Sequence, residues 1–500
     1  MKAFRPIGLM QIAAWRRLVA VLGLGVVIIA VSNAQFQLRW TTPIAFHGEG
    51  AFYQNDFYAI SVSGRTATLY RLSPAGTLTI LWSHTESPLS GFRPSGFQRV
   101  AVDPVAHRFL LDITLWGRFD TGRSDLWAVD WDGRFGWVYQ ESPPRGSRLW
   151  LTGDGQGGAI EVGRRYIGDY QYRTYIRRFD TQGTPVRDQY VDGDFAGMDP
   201  LNRLVTISTL TQGDYIVGYR YYWHDVFTGQ LVQSAEWRTP APFLFYDSPT
   251  FLFDPAGNLY HYPAFIYGYP SEYTTLLSIA ANGQIRWASN LLAEGRVVLN
   301  VHYAPADDSL ILVEYAARDF WFRKLSAQNG QPIGSPRRIY QASGTPGYEH
   351  HDYYFADMAS DSYAFYLVVP EGHIETRCDP ERCEDYWIMD QQVVLRMSLE
   401  GELRAQLILP ASTTENRYVR PQIVEQDMWL FWGKISSYRV RAVRADGDGN
   451  GDGCVDDQDL LGLLFAFGST NTNWDFNRDS VVDDADLLRV LAHFGLGCLP

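Results

Sequence analysis

FLFDPAGNLYHY (251–262) and LLSIAANGQIRW (276–287) each place a short turn between two apolar, β-prone runs. The first turn, Phe253-Asp254-Pro255, is polar and proline-bearing, and the second, Asn282-Gly283, is a hairpin signal. Both kinds recur. The first kind returns at Val102-Asp103-Pro104, Met198-Asp199-Pro200 and Ala304-Pro305, and in weaker form at Gln54-Asn55-Asp56, Gly153-Asp154-Gly155, Ala359-Ser360-Asp361 and Glu425-Gln426-Asp427. The second returns at Ala75-Gly76, Asp132-Gly133, Gln182-Gly183, Thr228-Gly229, Asn329-Gly330 and Glu400-Gly401, where glycine supplies the positive φ a tight hairpin needs. The two kinds alternate at a period of roughly 50 residues, which is four strands per unit. Eight turns of the first kind face seven of the second, so the last unit lacks a fourth strand. Phe36-Gln37-Leu38-Arg39-Trp40-Thr41 resembles the other fourth strands, such as Thr79-Ile80-Leu81-Trp82-Ser83 and Ala235-Glu236-Trp237-Arg238. The expectation is a mainly β chain: an eight-bladed β-propeller over 35–445, closed by its N-terminal strand. Seven blades is the alternative count, and a β-sandwich or two stacked domains the alternative architecture.

Composition agrees. Of 500 residues, 46% are hydrophobic, 20% charged and 15% aromatic, which excludes a disordered chain and favours strands. A net charge of −13 argues against a nucleic-acid partner. Residues 1–34 read as an export signal: Lys2, Arg5, Arg16 and Arg17, then an apolar run Leu18 to Val31, then Ser32-Asn33-Ala34. That run is short for a membrane span, so a secreted product without stable membrane insertion is expected, an uncleaved anchor being the alternative. Cys378 with Cys383 and Cys454 with Cys498 suggest two disulfides in an exported chain, zinc at the first pair being the alternative. By pattern the repeat resembles quinoprotein-like or WD-repeat-like propellers, but no Trp-Asp blade endings, Gly-Gly pairs or vicinal cysteines occur.

Residues 446–500 carry 11 Asp against Arg478 and Arg489. They hold two twelve-residue loops, 448–459 and 475–486, with identical residues at positions 1, 3, 5, 8, 9, 10 and 12. Hard Ca²⁺ takes six to eight oxygens, and an EF-hand loop supplies them from such positions. One expected set is Asp448, Asn450, Asp452, the Cys454 carbonyl and Asp459. The other is Asp475, Asn477, Asp479, the Val481 carbonyl and Asp486, with Asp456 and Asp483 holding a bridging water in their respective loops. Two Ca²⁺ are expected. Val455 and Val482 should point inward and join the loops through a short β contact. Leu460, Leu461, Leu464 and Phe467, matched by Leu487, Leu488, Leu491 and Phe494, fall at helical spacing, with Gly468 and Gly495 at the helix ends.

Paired loops with Asp at position 12, each followed by a single helix, resemble a type I dockerin. That resemblance implies an extracellular calcium-dependent module that docks onto a cohesin-like protein in the setting of polysaccharide breakdown. The partner-facing positions would be Asp457-Gln458 and Asp484-Ala485. A terminal clasp without a partner is the other reading. For the propeller, the expectation is a platform for glycan or protein. The alternative is a polysaccharide-degrading enzyme, a glycoside hydrolase or lyase, although no catalytic constellation is legible. Tyr260, Tyr262, Tyr267, Tyr269 and Tyr273 could stack on sugars or pack between blades, and Pro370 to Asp385 forms a long excursion.

Overall fold

In the computed structural model, residues 36–495 are described except 88–91, 117–121, 142–145, 169–170, 214, 245–247, 265–274, 291–295, 317, 344, 347–357, 361–363, 379–382, 412–418, 425–426, 432–433, 441–446, 450–454, 472–473 and 477–480. The proposed export signal, the boundary at 445, Tyr267, Tyr269 and Tyr273 lie outside them.

The strands pair antiparallel in sequential sets of four, spanning 47–85, 93–141, 146–190, 194–244, 248–290, 297–341 and 345–410, the last with one extra short strand. The final set joins Arg420–Val424, Asp427–Phe431 and Ile435–Val440 to Phe36–Thr41, with Phe36 opposite Val440. The first two sets touch edge to edge through one parallel bridge, Glu49 to Arg99. This is a β-propeller.

Each set packs its apolar face on the next. Leu69 and Trp82 meet Phe109 and Leu111; Leu126 and Trp137 meet Leu151 and Phe179; Ile176 meets Leu204. Trp223 meets Leu259, Tyr262 meets Leu312, Phe322 meets Phe365, and Val394 meets Met428 and Phe36. Trp429 and Ile435 then pack on Phe57 and Leu72 of the first set. The chain of interfaces returns to its start.

Both turn types carry specific bonds. Asp254 Oδ1 accepts the amides of Ala256 (3.0 Å) and Asn258 (2.9 Å), and Asp103, Asp154 and Asp199 cap their own turns in the same way. The seven glycines of the second kind all have positive φ. They are also where the preceding set locks on. Trp40 Nε1 donates to the Pro74 carbonyl (3.0 Å), Gln189 Nε2 to Gly229 (2.8 Å), Gln233 Nε2 to Ala281 (2.9 Å), Trp287 Nε1 to Ala327 (3.1 Å) and Arg337 Nη1 to Glu400 (3.3 Å). A Cβ on Gly76, Gly183 or Gly330 would come within 2.5–2.6 Å of the ring of Trp40, Trp137 or Trp287. Phe36–Thr41 therefore does for the first set what the fourth strands carrying Trp137, Gln189, Gln233, Trp287 and Arg337 do for their successors.

Carboxyl-terminal to the sheets are two helices, α1 (Asp457–Ala466) and α2 (Asp484–Ala492). Among the described residues no helix is long and apolar enough to cross a membrane.

Gly183→Ala should cost both the left-handed strain, about 1–2 kcal/mol, and the clash with Trp137, about another 1–3 kcal/mol. Gly155→Ala, at φ +71° with nothing within 4 Å of the added methyl, should cost the first alone. Urea unfolding of the two variants compares them; equal losses would show that the interlock contributes nothing.

Candidate functional site

The two acidic loops fold around their twelfth residues. Asp459 Oδ1 accepts the Gly449 amide (2.8 Å) and Oδ2 the Asp456 amide (3.0 Å). Asp486 repeats this with Phe476 (2.6 Å) and Asp483 (3.0 Å). Both carboxylates are fully buried, as is Asp448. Asp456 Oδ1 accepts from Gln458 N and Asp483 Oδ1 from Ala485 N, each at 2.8 Å, so both residues are helix N-caps within a reciprocal capping box. The sequence reading gave these two only a water-holding role. The Asp-x-x-Asp spacing of 456–459 and 483–486 was the available signal.

Of the twelve proposed ligands, Asp448, Asp456, Asp459, Asp475, Val481, Asp483 and Asp486 are described, and Asn450, Asp452, Cys454, Asn477 and Asp479 lie outside. Among the described residues no three His, Cys, Asp or Glu side chains gather as a metal cluster. The donor chemistry is carboxylate, amide and carbonyl oxygen throughout, which suits a hard divalent cation.

The halves interlock through a crossed exchange. Gly468 N donates to Val482 O (2.8 Å), Val482 N to Ser469 O (2.9 Å), and Gly495 N to Val455 O (2.7 Å). Val455 and Val482 are buried with Leu463, Phe476 and Val490, as the inward expectation requires. Trp474 lies on Gly449 and Gly462 so closely that neither could carry a side chain, a contact the sequence did not announce.

The residues at helical spacing divide in the folded chain. Leu460 and Leu487 are half-buried, but Leu461, Leu464, Phe467, Leu488, Leu491 and Phe494 are exposed, and Phe465 is 89% exposed. A core this small, built on Leu463, Ala466 and Val490, takes only one side of each helix. The other side presents apolar side chains that nothing among the described residues covers.

The propeller has two unlike ends. Its first-to-second and third-to-fourth turns share one end, where Val440 and Phe36 also lie. Second-to-third and fourth-to-first connections lie at the other. All six exposed Tyr and Trp side chains among the described residues are at this loop end: Trp116, Tyr166, Tyr172, Tyr190, Tyr215 and Tyr386. The excursion expected at Pro370 to Asp385 rises there as a hairpin with Cys378 opposite Cys383. Tyr260 and Tyr262 are instead buried between sets, so of the two readings of that tyrosine group these members take the packing one.

Buried charge concentrates between sets. Arg148 binds Glu161 and Asp112, each at 2.5 Å, and Arg177 binds Glu161 (3.1 Å), Glu141 (3.3 Å) and Asp188 (2.9 Å). Burial alone would lower the Arg177 pKa, but Glu161 and Glu141 overcome it and the guanidinium stays charged. Burial raises the Asp125 pKa despite its Arg123 partner at 2.8 Å. Glu314 is held by Arg296 (3.0 Å) and Arg323 (2.5 Å), and Glu371 by Tyr340, Ser343 and Gln391. Arg148 with Asp112, Arg177 with Glu141 and Tyr340 with Glu371 cross from one set to the next, whereas Glu314 and Asp125 are held by arginines of their own sets.

Buried His261 shares a 2.5 Å hydrogen bond with Tyr221, and burial pushes its pKa down to about 3; that of His302 falls to about 4 for the same reason. A folded pKa below the unfolded value of about 6.5 means stability is complete above pH 6.5 and lost as pH falls toward 3. The urea midpoint should drop across that window, and His261→Gln should flatten the drop by up to about 1.4 kcal/mol per pH unit. An unchanged profile would refute the assignment.

No protein-family model matches the chain, and no curated protein does. Solved structures similar to it include BamB from Moraxella catarrhalis, at 13% identity and TM-score 0.44, covering 81% of this chain and 99% of that one. The WD40 domain of SCAP from fission yeast matches at 8% identity and TM-score 0.37, covering 81% and 95%. The periplasmic gluconolactonase PpgL of Pseudomonas aeruginosa matches at 13% identity and TM-score 0.34, covering 75% and 96%. Likeness at this level carries no functional inference; the strand pairing describes the fold.

Proposed function

We propose that the chain is an exported protein that docks through calcium and presents its propeller as a binding platform for glycan or protein. In this reading residues 1–34 are a cleaved leader and 35–445 an eight-bladed propeller closed by Phe36–Thr41. Residues 446–500 are a dockerin-like module that docks onto a cohesin-like protein. The carrying observation is the pair of buried carboxylates, Asp459 and Asp486, each closing its loop onto a backbone amide in the same way.

Two Ca²⁺ would be held by Asp448, Asn450, Asp452, the Cys454 carbonyl and Asp459, and by Asp475, Asn477, Asp479, the Val481 carbonyl and Asp486. The ions would neutralise carboxylates that otherwise repel one another in a segment of net charge −9, counted from 11 Asp and two Arg. Asp456 and Asp483 start the helices. The uncovered face of Leu461, Leu464, Leu488 and Leu491 favours docking over a partnerless clasp, since exposed apolar surface of this kind marks a contact site. The cross-strand register of Cys378 and Cys383 supports a bridge that staples the loop-end hairpin, and Cys454 with Cys498 would staple the module.

Calorimetry on the full chain should show uptake of two Ca²⁺, with Asp459→Asn and Asp486→Asn each removing one. Chelation should expose 457–492 to hydrogen exchange while the propeller amides stay protected. Protection unchanged by chelator would sink the calcium reading. Leu488→Asp should abolish capture by a cohesin-like partner without altering calcium uptake; capture that survives it would point away from the helix face.

A further inference from the structure

The loop end of the third strand set gathers three exposed tyrosines with arginine, where the hairpin of the seventh set has the single pair Tyr386 and Arg377 (5.3 Å). Ala159–Gly168 and Gln171–Phe179 contain Arg164, Arg165, Arg173, Arg177 and Arg178 against one carboxylate, Glu161, in a chain whose net charge is −13. At the hairpin end Tyr166 stands opposite Tyr172, so both rings lie on one face of the sheet, with centroids 5.4 Å apart. Arg164 lies over the Tyr172 ring at 4.6 Å on that face, while Arg173, opposite Arg165, and Tyr190, opposite Tyr175, lie on the other face of the sheet, with Arg173 over the Tyr190 ring at 5.2 Å. All three tyrosines and both arginines are exposed.

Beneath them the framework is fixed. Arg165 is buried against Tyr175 (4.4 Å) and bonded to Asp188 (3.3 Å), and Arg177 ties Asp188 to Glu161 and Glu141. The carboxylates nearest the surface are therefore engaged from below. Asp194 approaches Arg164 at 3.6 Å but is itself 61% exposed, an ion pair that water already screens. Arg173 has no ion pair among the described contacts. Tyrosine offers a broad face with little rotamer freedom to lose, and guanidinium matches a carboxylate bidentately.

We propose that this hairpin end binds an acidic polysaccharide, a chain of uronic acid residues crossing its tip, with sugar faces on Tyr166 and Tyr172 and a carboxylate on Arg164 at one side, and a sugar face on Tyr190 and a carboxylate on Arg173 at the other. A neutral glycan would use the rings and leave the arginines idle; a nucleic acid would meet a chain of the wrong overall charge. The inference rests on the reading of the propeller as a platform and names the ligand class and the place.

The test uses the full chain and short galacturonate oligomers, with their methyl esters as the uncharged counterpart, read by calorimetry. The acid should bind at least tenfold more tightly than the ester, and more weakly as salt rises. Arg164→Gln with Arg173→Gln should erase that preference. Tyr166→Ala with Tyr172→Ala should weaken both ligands at least tenfold, while Tyr386→Ala, an exposed tyrosine of another set, leaves binding intact and controls for folding. Equal affinity for acid and ester, unchanged affinity in either double variant, or no binding of either ligand overturns the proposal. The platform reading falls separately: a chain that ignores uronates yet holds another ligand released by Trp116→Ala loses only the inference made here.

Discussion

The propeller depends on a contact that fourth strands make with the glycine turn of the next sheet. A ring or amide at a fixed place, such as Trp40, Trp137, Gln189, Gln233 or Trp287, covers a turn that has no Cβ to obstruct it, and in most cases donates to a carbonyl there. A four-stranded sheet with one apolar face has too little core of its own, so its stability lies in its junctions. A ring in which every sheet is held by its predecessor has no weak member except where the chain starts and stops. That place is filled by Phe36–Thr41, which pairs with Ile435–Val440 and sets Trp40 on Gly76.

Holding the ring at the turn end has a consequence at the opposite end. That is where, among the described residues, the exposed tyrosines and the long hairpin ending at Cys378 and Cys383 accumulate. Buried ion pairs such as Arg148 with Glu161 and Asp112 register neighbouring sheets below that surface. Such pairs gain little net free energy after desolvation, but removing one partner strands the other in a dry interior. They set geometry more than stability. Val440, the last residue of the final sheet, lies at the turn end beside Phe36, opposite the tyrosines.

Much of this was legible from residue type and spacing. The seven turn glycines and the capping aspartates were readable because turn chemistry is local: positive φ and side-chain-to-amide bonds involve residues two to four apart. The loop repeat at 448–459 and 475–486 was readable for the same reason. What stayed hidden involved residues far apart in the chain. Trp474 filling the place of side chains at Gly449 and Gly462, or Arg148 reaching Asp112 and Glu161, leaves no mark on any short window. The helix pattern was informative up to a point. Helical spacing identified Leu461, Leu464, Leu488 and Leu491 as one apolar side, but spacing cannot say whether anything covers it, and in the folded chain nothing described does.

The amino-acid sequence by itself determined the period, the alternation of turns, the strand that completes the last sheet and the residue types of the acidic loops. Each follows from backbone preference and from the oxygen chemistry of Asp and Asn. Only the tertiary structure decided which side chains are withdrawn from water. It placed Tyr260 and Tyr262 in a sheet junction and left Tyr166, Tyr172 and Tyr190 in solvent. Burial is a property of what folds on top of a residue, and that cover comes from elsewhere in the chain.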